Sequence, residues 1–122
     1  MPSTQLDDTV ILNSVKRPLG IPAEVTEFDI DITMHVNSAF FSLNQLGIGP
    51  ETPFYIDSTT MWSSFETSIP KHVVLDYVFL KTKMVFDPPT SSSVVEAYND
   101  RISELEFRMN VAVDTGGYSD SV

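Results

Sequence analysis

The fold class is decided by residues 73–112, which read VVLDYVFLKTKMVFDPPTSSSVVEAYNDRISELEFRMNVA. Up to residue 86 this stretch has hardly any polar face, and it is longer than most strands. It therefore predicts a buried central helix over about residues 70–86. Its β-branched and aromatic residues leave a buried strand as the competing interpretation. From residue 94 onward, apolar residues recur every three or four positions, which predicts an amphipathic last helix over about residues 92–111.

A stiff corner is predicted between these two helices. It consists of Asp87, Pro88, Pro89 and Thr90. Each proline lacks an amide donor and restricts the residue before it, so the central helix must end here. The serines that follow are predicted to cap the last helix, and Ser68 is predicted to cap the central one. We therefore assign these four corner residues a structural role.

Two further helices are predicted nearer the N-terminus, a short one over about residues 9–17 and a longer one over about residues 26–46. The longer helix carries a stripe of apolar residues at spacings of three and four, made up of Phe28, Ile32, Val36, Ala39, Phe40, Leu43 and Leu46. Ile30, Met34 and Phe41 lie off this stripe, so we expect this helix to contact neighbours on two sides.

The middle loop, residues 47–68, has no helical periodicity and is rich in turn residues. Its aromatic content is high for a solvated connection. A short strand at residues 54–56 and one helical turn at residues 62–65 are the local structures that its sequence suggests. One interpretation is that its aromatics close the core, and another is that they form a protein-contact surface, since long loops are often functional. Both can hold for different residues. The candidate contact residues are Phe54, Tyr55, Ile56 and Trp62, and we expect some of them to be exposed.

These patterns predict an all-α fold, a small helical bundle of about four helices with a long aromatic-rich middle loop. Residues 1–112 are predicted to form the bundle domain. Residues 113–122 lack apolar periodicity and contain Gly116 and Gly117, so they are predicted to form a flexible C-terminal tail.

The composition of the 122-residue chain fits one soluble domain with a core of its own. It has no Cys, which excludes disulfides and thiolate metal sites. Seventeen acidic and seven basic residues give a formal charge of −10, which disfavours tight binding to DNA phosphates. No apolar run is long enough for a membrane span, so no membrane contact is predicted.

The sequence offers little for catalysis. His35 and His72 are far apart and belong to no metal-binding motif. No Ser or Thr lies in a motif that supplies a base, and the glycines at 47 and 49 do not form a phosphate loop. We therefore predict that the protein is not an enzyme, and we assign it no catalytic residue, cofactor or metal.

Several short motifs follow one another in order over about residues 9–112. They are Phe28-Asp29-x-Asp31-Ile32-x-Met34-His35-Val36-Asn37, Leu46-Gly47-Ile48-Gly49-Pro50, Trp62, Tyr77-x-x-Leu80-Lys81, Phe86-Asp87-Pro88-Pro89-Thr90-Ser91-Ser92 and Ile102-x-x-Leu105-Glu106-x-Arg108-Met109-Asn110. In order and spacing they resemble the head-tail connector (adaptor or head completion) proteins of tailed bacteriophages. The strongest piece is FDPPTSS together with the following ELEFRMNV.

The resemblance implies a helical subunit of the virion neck, assembled in the host cytoplasm at the DNA-packaging vertex. Such subunits commonly form a dodecameric ring that contacts the portal protein and the next connector, stopper or tail protein. The ring extends the channel through which DNA passes without specific binding. The resemblance also makes Val113, Gly116, Gly117 and Tyr118 candidates for a portal-facing contact, with a solvated tail as the alternative.

Two other functions remain open at this point. One is an unrelated helical protein-interaction module without catalytic activity. The other, a small enzyme or nucleic-acid binder, has the least support from the sequence. Both stay open because fold class alone does not determine function.

Overall fold

The computed structural model describes residues 6–118. This part of the chain contains four complete α-helices, one turn of 3-10 helix and no strand. We number the α-helices α1 (Ile11–Lys16), α2 (Asp29–Gln45), α3 (Lys71–Phe86) and α4 (Ser92–Thr115), and the 3-10 turn is Trp62–Ser64. The predicted all-α fold is confirmed, and the strand alternative for the third element is wrong. The predicted turn in the middle loop is present.

The start of α3 differs from the prediction. The residue before its first turn is Pro70, whose backbone is extended, and no side chain caps the helix. Ser68 lies too early to act as the cap. Instead, the Thr67 hydroxyl accepts a hydrogen bond from the Ile69 amide at 3.0 Å, which organises the approach to the helix. Ser91 is the residue before α4, but its hydroxyl pairs with that of Ser93 at 2.9 Å rather than with a helix amide.

The end of α4 also differs, because the helix continues past residue 111 to Thr115. Gly116 then adopts a left-handed conformation with φ of +83°, and its amide donates to the Ala112 carbonyl. Val113 therefore belongs to the helix and not to a tail. The helix ends at the first glycine, a residue whose backbone readily turns left-handed, and apolar periodicity carries no signal for that point.

The helices pack with α3 in the centre, where it contacts both α2 and α4. Phe28, just before α2, meets Phe86 at the end of α3 with ring centroids 5.7 Å apart, so these two helices are antiparallel. The corner of residues 87–91 then reverses the chain into α4. At the opposite end, Gly47 after α2 faces Val113 of α4.

The core contains five of the seven stripe residues predicted for the second helix, Ile32, Val36, Ala39, Phe40 and Leu43, and the inner face of the last one. The two ends of the predicted stripe differ, because Leu46 is half-buried and Phe28 is 39% exposed. Ile102 and Leu105 are buried, as predicted, along with Tyr77 and Val78 of α3. The core extends further than the helices, because it also takes in side chains from the middle loop. These buried loop residues are Ile48, Ile56, Trp62, Phe65 and Ile69.

Lys16 is buried at the end of α1, although the sequence indicated only a helix terminus there. Its ammonium donates to the carbonyls of Ala23 and Val25 at 3.1 and 2.6 Å, and it pairs with the Asp29 carboxylate at 2.7 Å. A buried charge is costly unless it is fully partnered. These three contacts therefore fix the connection between α1 and α2.

Candidate interaction surface

Two asparagines on α2 hold the middle loop against the bundle. The Asn37 side chain accepts the Ile56 amide at 2.7 Å and donates to the Ile56 carbonyl at 3.3 Å. Two turns further along the same face of the helix, Asn44 donates to the carbonyls of Pro50 and Glu51 at 3.3 and 3.2 Å. Asn37 thus satisfies the backbone of Ile56 as a neighbouring strand would, which explains why an extended segment exists here without a sheet.

The loop is also attached to the N-terminal segment. The Ile11 amide donates to the Thr60 carbonyl at 2.8 Å, and the Trp62 amide donates to the Thr9 carbonyl at 3.0 Å. The indole nitrogen of Trp62 donates to the Ser14 hydroxyl at 2.9 Å. These contacts join two regions distant in the sequence, and they fix the position of the 3-10 turn.

An aromatic cluster closes the core beneath the loop. The Phe40 ring of α2 lies 5.0 to 6.0 Å from the rings of Phe54, Trp62 and Phe65. Phe54 and Phe65 also contact each other, with centroids 4.9 Å apart. For these residues the first interpretation of the loop is correct, because their rings complete the core.

The four candidate contact residues of the loop therefore separate into two groups. Ile56 and Trp62 are buried, and Phe54 is half-buried in the aromatic cluster, so we reassign these three to the core of the single chain. Asn37 holds Ile56 and Ser14 holds Trp62 by hydrogen bonds, and Phe54 packs on the rings of Phe40 and Phe65. The sequence did not reveal these contacts. Tyr55 is 62% exposed and remains available to a partner.

Tyr55 adjoins an exposed apolar surface on α2. Met34, Phe41 and Tyr55 line a shallow depression of about 450 Å³ together with Asn37, Ser38 and Ser42. Ile30, one turn before Met34, is 83% exposed. We call Ile30, Met34, Phe41 and Tyr55 the α2 surface. The sequence marked its three helical members as lying off the core stripe, and within residues 6–118 they are exposed.

A second exposed apolar region lies on α4. Phe107 is 70% exposed, and Val111, one turn later, is also exposed. Near the C-terminus, Val113 and the two glycines are exposed, whereas Tyr118 is half-buried and packs against the core. The candidate tail residues thus do not form one surface in the single chain, and their role in binding a portal stays a prediction.

Most basic side chains are paired with carboxylates. The pairs are Lys16 with Asp29, Lys71 with Asp7, Lys83 with Asp87, Arg101 with both Asp76 and Glu104, and Arg108 with Glu104. Glu104 and Arg108 lie four residues apart on α4 and are in contact, and hydrogen bonds from Arg108 and Arg101 lower the pKa of Glu104. Pairing leaves few positive charges to attract phosphate.

One buried tyrosine links the central helix to α4. The Tyr77 hydroxyl donates to the Glu106 carboxylate at 2.8 Å. Burial, followed by the hydrogen bond and charge of Glu106, raises the pKa of Tyr77 well above its usual range. The ammonium of Lys81 lies 5.8 Å from the centre of the same ring. The tyrosine therefore stays protonated and acts as a fixed donor within the bundle.

The histidines do not come together. His35 is half-buried on α2, and His72 is exposed in the first turn of α3. Between residues 6 and 118, no cluster of three or more metal-binding side chains is present. None of the helices in that part of the chain is long and apolar enough to cross a membrane.

The sequence alone missed the two asparagines that position the loop. The signal that was available is their spacing of seven residues, which places both on one face of α2 beside a long loop. Polar residues at that spacing, on a helix that packs against the core, are candidates for holding a neighbouring backbone.

Comparison with known proteins identifies the family. The model of the phage connector protein family matches residues 11–116, which cover α1 through α4 and the whole middle loop. Searches of curated proteins and of solved structures gave no match. The match spans the same elements as the motifs that resemble head-tail connectors. This chain belongs to the phage connector protein family, whose members are structural components of the virion.

Proposed function

We propose that this protein is a subunit of a ring in the phage neck, between the portal and the tail or the next connector. The observation that carries the proposal is the match to the connector family over residues 11–116. In this role the ring extends the channel through which DNA leaves and enters the head. Dodecameric assembly, portal binding and tail binding are parts of the proposal.

The charge of the chain supports a channel role. A channel that passes DNA should not hold it, and the chain has a formal charge of −10. Five of its seven basic residues are also paired with its own carboxylates. Repulsion between carboxylates and phosphates favours a weakly adhesive wall.

The attachment of the loop also supports a structural subunit. The middle loop is held by side chains of α2 and by the backbone next to α1. A subunit whose loops are already ordered loses less conformational entropy on assembly. This arrangement suits a component that must fit repeatedly into a symmetric ring.

The portal contact is proposed to include the C-terminal residues. Gly116 and Gly117 separate α4 from Tyr118 and permit the chain to change direction there. In the single chain Tyr118 packs on the core, so portal binding would have to replace that contact. A weak contact from each subunit gains strength when many subunits bind together.

The test is a mass measurement by native mass spectrometry, on the purified protein alone and after mixing with the portal protein of the same phage. We expect a complex with the portal that contains a dodecamer of the 13.6 kDa chain. A protein that stays monomeric and never joins the portal contradicts the proposal. That result would favour a helical interaction module outside the neck.

A further inference from the structure

Tyr55 is held in a fixed position on the surface by the residues on both sides of it. The ring of Phe54 is packed against Phe40 and Phe65, with centroid distances of 5.1 and 4.9 Å. The backbone of Ile56 makes two hydrogen bonds with the Asn37 side chain. The exposed tyrosine between them therefore loses little backbone entropy when a partner binds, which is the property of an interface anchor.

The helical part of the α2 surface lies opposite the buried face of α2. The buried residues of this helix are Ile32, Val36, Ala39, Phe40 and Leu43. At 3.6 residues per turn, Ile30, Met34 and Phe41 project from the other side of the helix. Packing among the described helices leaves them uncovered, so they are available to another molecule.

The charge along the segment that carries the α2 surface is of one sign. Between residues 18 and 70 the chain has no Lys or Arg, and its acidic residues are Glu24, Glu27, Asp29, Asp31, Glu51, Asp57 and Glu66. Asp29 is paired with Lys16. Glu27 and Asp31 are exposed beside Ile30 and Met34. A partner that covers this surface should therefore bring positive charge to its edge.

A second copy of this chain meets that requirement poorly. Two exposed aromatics lie outside the α2 surface, Phe28 just before α2, which is 39% exposed and packs against Phe86, and Phe107 on α4, which is 70% exposed. Phe107 is the larger exposed apolar area, and exposed carboxylates lie along the same helix. These are Glu96, Asp100 and Asp114, all exposed, whereas Glu104 is paired with Arg101 and Arg108. Bringing that region onto the α2 surface would place like charges against each other, which opposes association.

We propose that the α2 surface is the docking site for a different protein, whose contact surface has an apolar centre surrounded by Lys and Arg. Tyr55 and Met34 enter the apolar centre, and Glu27 and Asp31 face the basic edge. The inference rests on the proposed function for its candidate partners, which are the proteins adjoining this subunit in the neck.

The experiment measures the binding of the full chain to two purified probes, the portal protein and the next neck or tail component of the same phage. Binding is followed by biolayer interferometry at about 50 and about 300 mM NaCl. Self-association of the chain is measured in parallel by sedimentation velocity. We expect affinity for one probe to fall with salt, because screening weakens attraction between opposite charges.

Two variants locate the contact. Met34→Ser/Tyr55→Ser should reduce affinity for that probe about tenfold or more, with self-association unchanged. Glu27→Gln/Asp31→Asn should flatten the dependence of affinity on salt. The matched control is Phe107→Ser, which removes an equally exposed aromatic from α4 and should bind like the wild type. Circular dichroism verifies that each variant keeps its helices.

The outcomes separate the two proposals. If the wild type binds neither probe and forms no ring, the neck role fails, and this inference fails with it. If the wild type binds but Met34→Ser/Tyr55→Ser binds equally well, only the docking site is wrong. Loss of self-association in that variant, with binding to both probes retained, would instead make the α2 surface a contact between copies. An affinity that rises with salt concentration would also overturn the proposal that the partner's contact surface is basic.

Discussion

A single buried amine determines how α1 is joined to α2. Lys16 is fully buried, and its partners are two carbonyls and the carboxylate of Asp29. The sequence placed Lys16 at a helix end, where a lysine is ordinarily solvated. Nothing in the local pattern indicates burial, since the acceptors come from a later turn and from the next helix.

We predict that Lys16→Met lowers the free energy of unfolding by about 3 kcal/mol, because Asp29 and two carbonyls lose their partner. Urea denaturation at neutral pH provides the measurement. The double variant Lys16→Met/Asp29→Asn should recover part of the loss, since it removes the unpaired charge. A single variant as stable as the wild type would show that the ion pair contributes nothing.

The close approach of Gly49 to Phe65 leads to a second prediction at the level of one residue. Gly49 has φ of +90°, and a Cβ atom there would lie 2.6 Å from Cε1 of Phe65. Gly49→Ala should therefore destabilise the protein by at least about 2 kcal/mol, through backbone strain and a clash in the aromatic cluster. Urea denaturation again gives the magnitude.

Two other glycines serve as controls for this substitution. Gly20 also has positive φ, but no atom lies within 4 Å of the added Cβ, so Gly20→Ala reports backbone strain alone. Gly117 has neither constraint, and Gly117→Ala should be nearly neutral. If Gly49→Ala costs no more than Gly20→Ala, the packing of Phe65 against Gly49 is wrong.

Among the elements, α4 is the best test of the bundle. Leu105 is fully buried on its inner face, so Leu105→Ala should cost about 2–5 kcal/mol by leaving a cavity. Phe107→Ala, two positions later on the exposed face, should change stability by no more than about 0.5 kcal/mol. Trp62 is buried and is the sole tryptophan, so its fluorescence reports unfolding in both cases. Equal stability of the two variants would contradict the orientation of α4.

The helices were predictable because each repeats its apolar residues along one face, a signal contained within the element itself. The stripe from Ile32 to Leu43 and the inner face of α4 are examples. The middle loop was not predictable in the same way. Its order depends on Asn37, Asn44 and Ser14, which lie in other elements. From the sequence, the helical part of the α2 surface was visible only as three residues, Ile30, Met34 and Phe41, that lie off the core stripe of α2. The sequence could not distinguish the exposed Tyr55 from its buried neighbours in the loop.

For the whole molecule, the C-terminal residues provide a direct test of the proposed portal contact. Removing everything after Gly117 keeps α4 and its left-handed end at Gly116. We expect unchanged helicity by circular dichroism and clearly reduced co-sedimentation with the portal, because the proposed anchor Tyr118 is lost. Full-length Tyr118→Ala is the matched control for the side chain alone. Portal binding at the wild-type level by the truncated protein would assign the contact to the helical body.

The burial of Lys16 also gives this protein an internal chemical marker of its folded state. An amine-reactive ester modifies only a lysine that solvent and reagent can reach, and the Lys16 side chain is 1% exposed, against 22% for Lys71 and 21% for Lys83. In the native chain, Lys71 and Lys83 should therefore be labelled long before Lys16. Mass spectrometry of digested peptides, taken at intervals, would then time the opening of the connection between α1 and α2. Labelling of Lys16 at the same rate as the other lysines would contradict its burial.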